Sequence, residues 1–125
     1  MNHELKVLVV DDSAIMRKVI IGILKGLNIK EENITQAEDG VEAVSLASKE
    51  QYNIILMDWN MPNMLGIDAV IAIRESGNKT PILMVTTEGE KTNVVKAIQA
   101  GANNYLVKPF NAEDLRDKFE QLIVS

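Results

Sequence analysis

The sequence predicts an α/β protein built on one doubly wound, parallel five-stranded sheet, with strands in the order 2-1-3-4-5 and helices on both faces. Three observations predict it. Apolar runs of strand length alternate five times with longer amphipathic segments. Parallel strands need crossovers that pass over the sheet, so an alternating chain lays helices on both of its faces. The first, third and fourth runs are apolar nearly throughout, as strands buried on both sides are, whereas the second and fifth are weaker and suit the edges.

The elements follow in chain order. "LKVLVV" (5–10) reads as the first strand. Ile15, Met16, Val19, Ile20, Ile23, Leu24 and Leu27 then repeat at three and four, the pattern of a helix with one apolar stripe. "ITQA" (34–37) is the second strand, followed by a helix marked by Val41, Val44 and Ala47. "NIILM" (53–57) is the third strand, with Ile67, Val70 and Ile71 on the next helix. "PILMV" (81–85) is the fourth, and Val95, Ile98 and Ala102 give its helix the weakest pattern of the set. "YLV" (105–107) closes the sheet, and Leu115, Phe119, Leu122 and Ile123 form the last stripe. Gly26, Gly77 and Gly101 stand near helix ends, where glycine supports a left-handed cap.

Composition narrows the function. The 125 residues fit one domain spanning 1–125, 46% of them hydrophobic and able to supply a core. With no cysteine there is neither disulfide nor thiolate metal site. The start "MNHELKVLVV" lacks the pattern of a signal peptide and no run is long enough to span a membrane, so a soluble, cytoplasmic monomer is expected. Thirteen basic against eighteen acidic residues give a net charge of −5, which argues against nucleic-acid binding. The lone His3 reads as solvated.

In a sheet of this order, ligands bind at the carboxyl ends of the strands, near the switch between strands one and three. Asp11 and Asp12 follow the first strand, Asp58 the third, Thr86 and Thr87 the fourth, and Lys108 with Pro109 the fifth. Three converging carboxylates repel by about 3 kcal/mol per pair at an effective dielectric of about 20. A divalent cation removes that cost, and all-oxygen ligands with room for a phosphate oxygen suit magnesium. Each residue has an ordinary explanation too: Asp12 or Ser13 as a helix cap, Asp58 in a loop, Thr86 at a strand end, Lys108 solvated. Their joint placement at matched strand ends favours a site.

These residues resemble the receiver domain of bacterial two-component response regulators. The resemblance runs along nearly the whole chain, through "VDDS" (10–13), "EDGVEA" (38–43), "DWNMPNM" (58–64), "MVTTEG" (84–89) and "AGANNYLVKPF" (100–110). It is strongest to the single-domain chemotaxis members, and the strand order above is one known for that flavodoxin-like three-layer fold. By resemblance, Asp58 is the phosphoacceptor, attacking the phosphorus of a phosphohistidine on a sensor kinase to form an aspartyl phosphate. Asp12, Asp58 and the main-chain carbonyl of Asn60 bind magnesium directly and Asp11 through water. Lys108 and Thr86 each take a phosphoryl oxygen, and the Lys108–Pro109 bond is cis.

The resemblance also implies a switch. Thr86 moves toward the phosphoryl group and the aromatic at Tyr105 turns inward; the ordinary alternative is an edge tyrosine with its hydroxyl in water. Lys91, Val94, Tyr105 and Lys118 are the expected partner surface. Since the chain ends after its fifth helix with no output domain, the expected effector is another protein, such as the flagellar motor switch, with a phosphatase as a further partner. Asn60 and Glu88 stand where access of water to the acyl phosphate is tuned, and Trp59 also matches the chemotaxis type rather than being a chance exposed tryptophan. Two positions depart from the pattern. Leu65 replaces a small polar residue, costing the third helix a cap and exposing a hydrophobe near the site, and the branched Thr87 stands where a small residue is frequent. A haloacid-dehalogenase-type phosphohydrolase needs its two aspartates one residue apart, not adjacent. A flavin carrier needs a hydroxyl- and glycine-rich loop that "DDSAIM" does not supply. A receiver of another two-component or phosphorelay pathway stays open.

Overall fold

The computed structural model describes residues 4–123, so His3 lies outside the described residues. Five strands, β1 (Val7–Val10), β2 (Ile34–Ala37), β3 (Ile54–Met57), β4 (Ile82–Thr86) and β5 (Asn104–Val107), form one parallel sheet in the order β2-β1-β3-β4-β5. Five helices alternate with them: α1 (Ala14–Gly26), α2 (Gly40–Lys49), α3 (Gly66–Glu75), α4 (Lys91–Ala100) and α5 (Ala112–Ile123). A 3₁₀ turn, Glu31–Asn33, precedes β2. No described helix is long and apolar enough to cross a membrane.

The strand period of two divides the core. Val7, Val9, Ile54, Leu56, Leu83 and Val85 pack against Ile20 and Leu24 of α1 and Leu115 and Phe119 of α5. Their neighbours Leu8, Val10, Ile55, Met57, Ile82 and Met84 face the other way, toward Ala43, Ala47, Val70, Ile73 and Ala97 of α2, α3 and α4. β1, β3 and β4 are buried at every residue, as central strands must be. Register then places the site. Val10 pairs with Met57 and Met57 with Met84, and the Asp58 N–H donates to the Val10 carbonyl at 2.9 Å, so Asp11 and Asp58 leave the sheet side by side.

Three expectations from sequence are corrected. On α4, Val95 and Ile98 are each 44% exposed and the helix ends before Ala102; its inward side is Val94, Ala97 and Ala100. The helical stripes were drawn too wide elsewhere, since Ile15, Val19, Val41 and Ile71 are also exposed. Gly77 and Gly101 do adopt positive φ, but Gly26 ends α1 in helical conformation and Asn28, at φ 69°, takes the left-handed position. Asparagine tolerates that region better than most residues, which is why the glycine was not required.

Arg74 was not singled out by sequence, yet it ties the amino end of the sheet together. Its guanidinium donates to the Gly101 and Asn78 carbonyls at 3.0 and 2.9 Å and to Asn103 Oδ1 at 2.9 Å, and that oxygen also accepts from the Ile82 N–H. Burial lowers its pKa from the ordinary value. Arg74→Met keeps the stem but removes the donor from the Gly101 and Asn78 carbonyls and leaves Asn103 Oδ1 with the Ile82 N–H alone, and is expected to cost about 2 kcal/mol in urea denaturation; a loss within experimental error of zero would contradict this role.

Candidate functional site

The four strand ends converge. Asp11, Asp12 and Asp58 each offer a carboxylate oxygen, and these atoms lie within 4.8 Å of one another. Lys108 reaches across from the end of β5, its Nζ 2.7 Å from Asp11 Oδ2 and 3.6 Å from Asp58 Oδ2. The lysine side chain is only 12% exposed, so it is not the solvated surface residue of the ordinary reading. The Lys108–Pro109 peptide is cis, as expected.

Local chemistry gives each carboxylate a different state. Asp11 Oδ1 accepts the Ser13 N–H at 2.9 Å while Oδ2 holds Lys108, so both of its oxygens are engaged. Ser13, not Asp12, caps α1, accepting from the Met16 N–H. Asp12 is thereby left exposed at the cleft. Asp58 is buried, with Oδ1 accepting from the Trp59 N–H at 2.8 Å. Burial raises the Asp58 pKa and the Asp11 charge raises it further; Lys108, the Trp59 N–H and the Thr86 hydroxyl oppose the rise without cancelling it.

That shift has a consequence for stability. A carboxyl with a raised folded pKa binds its proton better folded than unfolded. Its effect is therefore a stability that falls as pH rises from the ordinary carboxylate range through the raised Asp58 value, and then levels. In chelator, Asp58→Asn is expected to be more stable than the wild type at neutral pH by on the order of 1 kcal/mol, with the difference shrinking toward acid. Urea denaturation of both proteins across that range checks it, and a difference independent of pH would contradict it.

Around the acidic cleft stands a second set of contacts, centred on Glu88. Its carboxylate accepts from Asn60 Nδ2 at 2.6 Å and from Asn93 Nδ2 at 3.1 Å, joining the loop after β3 to the first turn of α4. Its N–H donates to Thr86 Oγ1 at 3.2 Å, and its carbonyl accepts from the Tyr105 hydroxyl. Tyr105 is therefore buried with its hydroxyl bonded to protein, not in water. Its phenol is pushed up to about 12 by burial and by the Glu88 and Asp58 charges. Asn93 was missed from sequence, since nothing in its spacing shows that it meets Glu88.

Other expected residues fall as follows. Trp59 is 8% exposed and packs in the core on the α2–α4 side. Leu65 makes no side-chain cap to α3 and is exposed, as its departure from the pattern implied. Thr87 is exposed at the cleft's edge beside the fully buried Thr86. Lys91 is exposed and Val94 half-buried on α4, and Lys118 lies 3.5 Å from Asn104 Oδ1.

An acidic cleft at strand carboxyl ends, bridged by a lysine on a cis-proline turn, is a site with the ligands to hold a divalent cation. Residues 7–120 match the model of the response regulator receiver domain, and the chain belongs to that family. It is 43% identical over 122 residues to a chemotaxis protein CheY homolog of Campylobacter jejuni, covering 95% of this chain and 92% of that one. It is 37% identical over 124 residues to the chemotaxis protein CheY-3 of Vibrio cholerae, covering 98% and 94%. Among solved structures, it superposes with a TM-score of 0.86 and 32% identity on the receiver domain of a sensor histidine kinase of Pseudomonas aeruginosa, over 97% of this chain and 98% of that one. That structure has a magnesium ion coordinated in its active site cleft.

Proposed function

We propose that the chain is a phosphorylation-activated signalling switch whose acceptor is Asp58. The observation that carries this is the convergence of Asp11, Asp12 and Asp58 within 4.8 Å with Lys108 wedged against two of them. An Asp58 carboxylate oxygen attacks phosphorus in line; the P–N bond of a kinase phosphohistidine breaks, and its electron pair stays on the imidazole nitrogen, which is protonated as it leaves. The site asks little else of the protein than positioning and charge neutralisation. Asp12, Asp58 and the Asn60 carbonyl would hold magnesium directly and Asp11 through water. The engaged oxygens of Asp11 and the exposed carboxylate of Asp12 support that division. Magnesium, when bound, would offset the negative charge of the carboxylates and of one phosphoryl oxygen. Lys108 leaves Asp11 for a second oxygen, and the Thr86 hydroxyl takes the third.

Thr86 couples the site to the surface. When its hydroxyl turns to the phosphoryl group, the Glu88 N–H loses its acceptor, and Glu88 also anchors Tyr105. The phosphoryl group thus favours one of two arrangements of the β4–α4 loop and Tyr105, a population shift driven by differential contacts. Asn60, Thr87 and Glu88 tune access of water to the acyl phosphate. The chain acts as a single receiver in the cytoplasm. It is no enzyme on an external substrate, and combines magnesium-dependent self-phosphorylation with slow autodephosphorylation.

The partners are a chemotaxis histidine kinase, the flagellar motor switch as effector and a phosphatase. Effector contact falls on Lys91, Val94, Tyr105 and Lys118, where exposed Val95, Ile98 and Val107 add apolar surface. The alternative is a receiver of another two-component or phosphorelay pathway, which the likeness to a sensor kinase's receiver supports. Beryllofluoride, a phosphoryl mimic, is expected to produce a saturable, magnesium-dependent change in Trp59 fluorescence that Asp58→Asn lacks. The loaded protein then binds a flagellar-switch peptide about tenfold more tightly; equal affinity of both forms would defeat the chemotactic assignment.

A further inference from the structure

The segment that joins β2 to α2 contributes no ligand to the acidic cleft, yet it touches both loops that do. At its start the Ala37 carbonyl accepts the Asp11 N–H at 3.1 Å, which fixes the chain where β1 ends. At its other end Asp39 Oδ2 accepts from Asn63 Nδ2 at 2.7 Å, in the loop that runs from Asp58 to Gly66. The second oxygen of Asp39 is already engaged. Oδ1 caps α2 by accepting the Glu42 N–H at 2.8 Å, and the Glu42 carboxylate in turn accepts the Glu38 N–H at 2.7 Å. Asp39 therefore cannot follow a displaced Asn63 without uncapping its helix. The Glu42 N–H first, and Asn63 next, hold the Asp39 carboxyl below its ordinary pKa, so it is ionised at neutral pH.

Asn63 is the point of its loop where a tie matters most. Its φ is 70°, and across it the Met64 N–H donates to the Pro62 carbonyl at 2.7 Å, a three-residue turn of a rare and strained kind. The turn lies between Asn60, whose carbonyl is the metal ligand of the reading above, and Gly66, which closes on Asp58 and Trp59. The same loop is seated against the first residue of α2. A Cβ on Gly40 would lie 2.7 Å from the Met64 carbonyl oxygen, so helix and loop approach with no space between them. Magnesium demands near-octahedral geometry and gives up its waters reluctantly. A loop shift too small to unfold the protein is then enough to weaken the ion.

We propose that Asp39 and Asn63 latch the Asp58–Gly66 loop to the segment that also holds Asp11, and so set the spacing of the groups that take the cation. Asn63 is thereby a positioning residue for phosphoryl acceptance, acting through the Asn60 carbonyl and not as a ligand itself. The inference rests on the reading of the cleft as a magnesium-dependent acceptor site.

Calorimetric titration of magnesium into the full chain tests it, with Asp58→Asn marking the ion bound at the acceptor. Asn63→Asp sets two carboxylates against each other and is expected to raise the magnesium Kd about tenfold. The added negative charge by itself would attract the ion and lower the Kd, so the sign of the change separates the two effects. Asn63→Gly removes the amide without adding charge and relieves the positive φ, and it raises the Kd by a smaller factor. The reversed pair, Asp39→Asn with Asn63→Asp, keeps the net charge, the helix cap and the bond with donor and acceptor exchanged. It returns the Kd to within about twofold of the wild type. Saturating magnesium gives Asn63→Asp the full extent of beryllofluoride binding, and urea denaturation in chelator confirms that each variant is folded. An Asn63→Asp protein that binds magnesium as tightly as the wild type or more tightly would overturn the latch, as would a reversed pair that recovers nothing. A wild type that binds no magnesium, or binds it equally well after Asp58→Asn, would instead overturn the acceptor reading and the latch with it.

Discussion

Gly66→Ala is expected to cost about 3 kcal/mol or more of stability and to disable phosphoryl acceptance. A Cβ at this position would overlap the Asp58 carbonyl oxygen and lie 2.9 Å from the Asp58 carbonyl carbon and 3.1 Å from Trp59 Cα. These are main-chain atoms and cannot swing aside as a flexible side chain would. The Gly66 N–H donates to the Trp59 carbonyl at 2.8 Å, so the loop closes back on Asp58 and Trp59 at the very residue where α3 begins. Relief requires moving either Asp58 or the start of α3. Gly22→Ala is the matched control: its Cβ meets nothing within 4 Å, and it is expected to stabilise α1 by about 0.5–1 kcal/mol. Urea denaturation of the two variants should move the midpoint in opposite directions. A Gly66→Ala protein with wild-type stability would contradict the packing described for this loop.

The second large effect is expected from Lys108→Ala. The substitution leaves Asp11 and Asp58 facing each other without the cation that now lies 2.7 and 3.6 Å from them. In chelator the protein should lose about 2 kcal/mol, less than a fully buried pair costs because the cleft is open on the Asp12 side. The Asp58 carboxyl, already raised, rises further once Lys108 no longer opposes burial and Asp11. Magnesium should restore part of that stability, because a cation that binds only the folded site shifts the equilibrium by mass action. Lys108→Ala should still bind beryllofluoride at Asp58 but show little of the Trp59 response. A variant with unchanged stability in chelator would mean that the lysine does not hold the carboxylates together.

Fold and site were legible to different depths. Alternation and the apolar content of the runs separated central from edge strands, because burial on two faces leaves a mark in composition, and the order itself was favoured by that pattern together with the family resemblance. "ITQA" coincides with β2, a four-residue edge strand with one buried residue. The helix stripes were read less well. α4 buries only Ala97, so two of its three larger apolar residues, the exposed Val95 and Ile98, drew the stripe to the wrong side. The acidic residues and Lys108 were found because the strand ends are fixed by topology. The Asn60–Glu88 contact and the bonds of Arg74 to Gly101 and Asn103 were not, since each joins segments distant in sequence whose approach no periodicity encodes. Trp59 illustrates the same limit from the other side. Its place beside Asp58 is visible in the sequence, whereas its burial depends on the fold of the loop that Gly66 closes.

The central claim is that Asp58 accepts a phosphoryl group. The most direct measurement is to incubate the protein with acetyl phosphate and magnesium, reduce with borohydride, and map the product by peptide mass spectrometry. Reduction of an aspartyl phosphate yields homoserine. The account predicts homoserine at position 58 alone, dependent on magnesium, and none in Asp58→Asn. An unmodified Asp58, or a label carried at Asp11 or Asp12 instead, would contradict it.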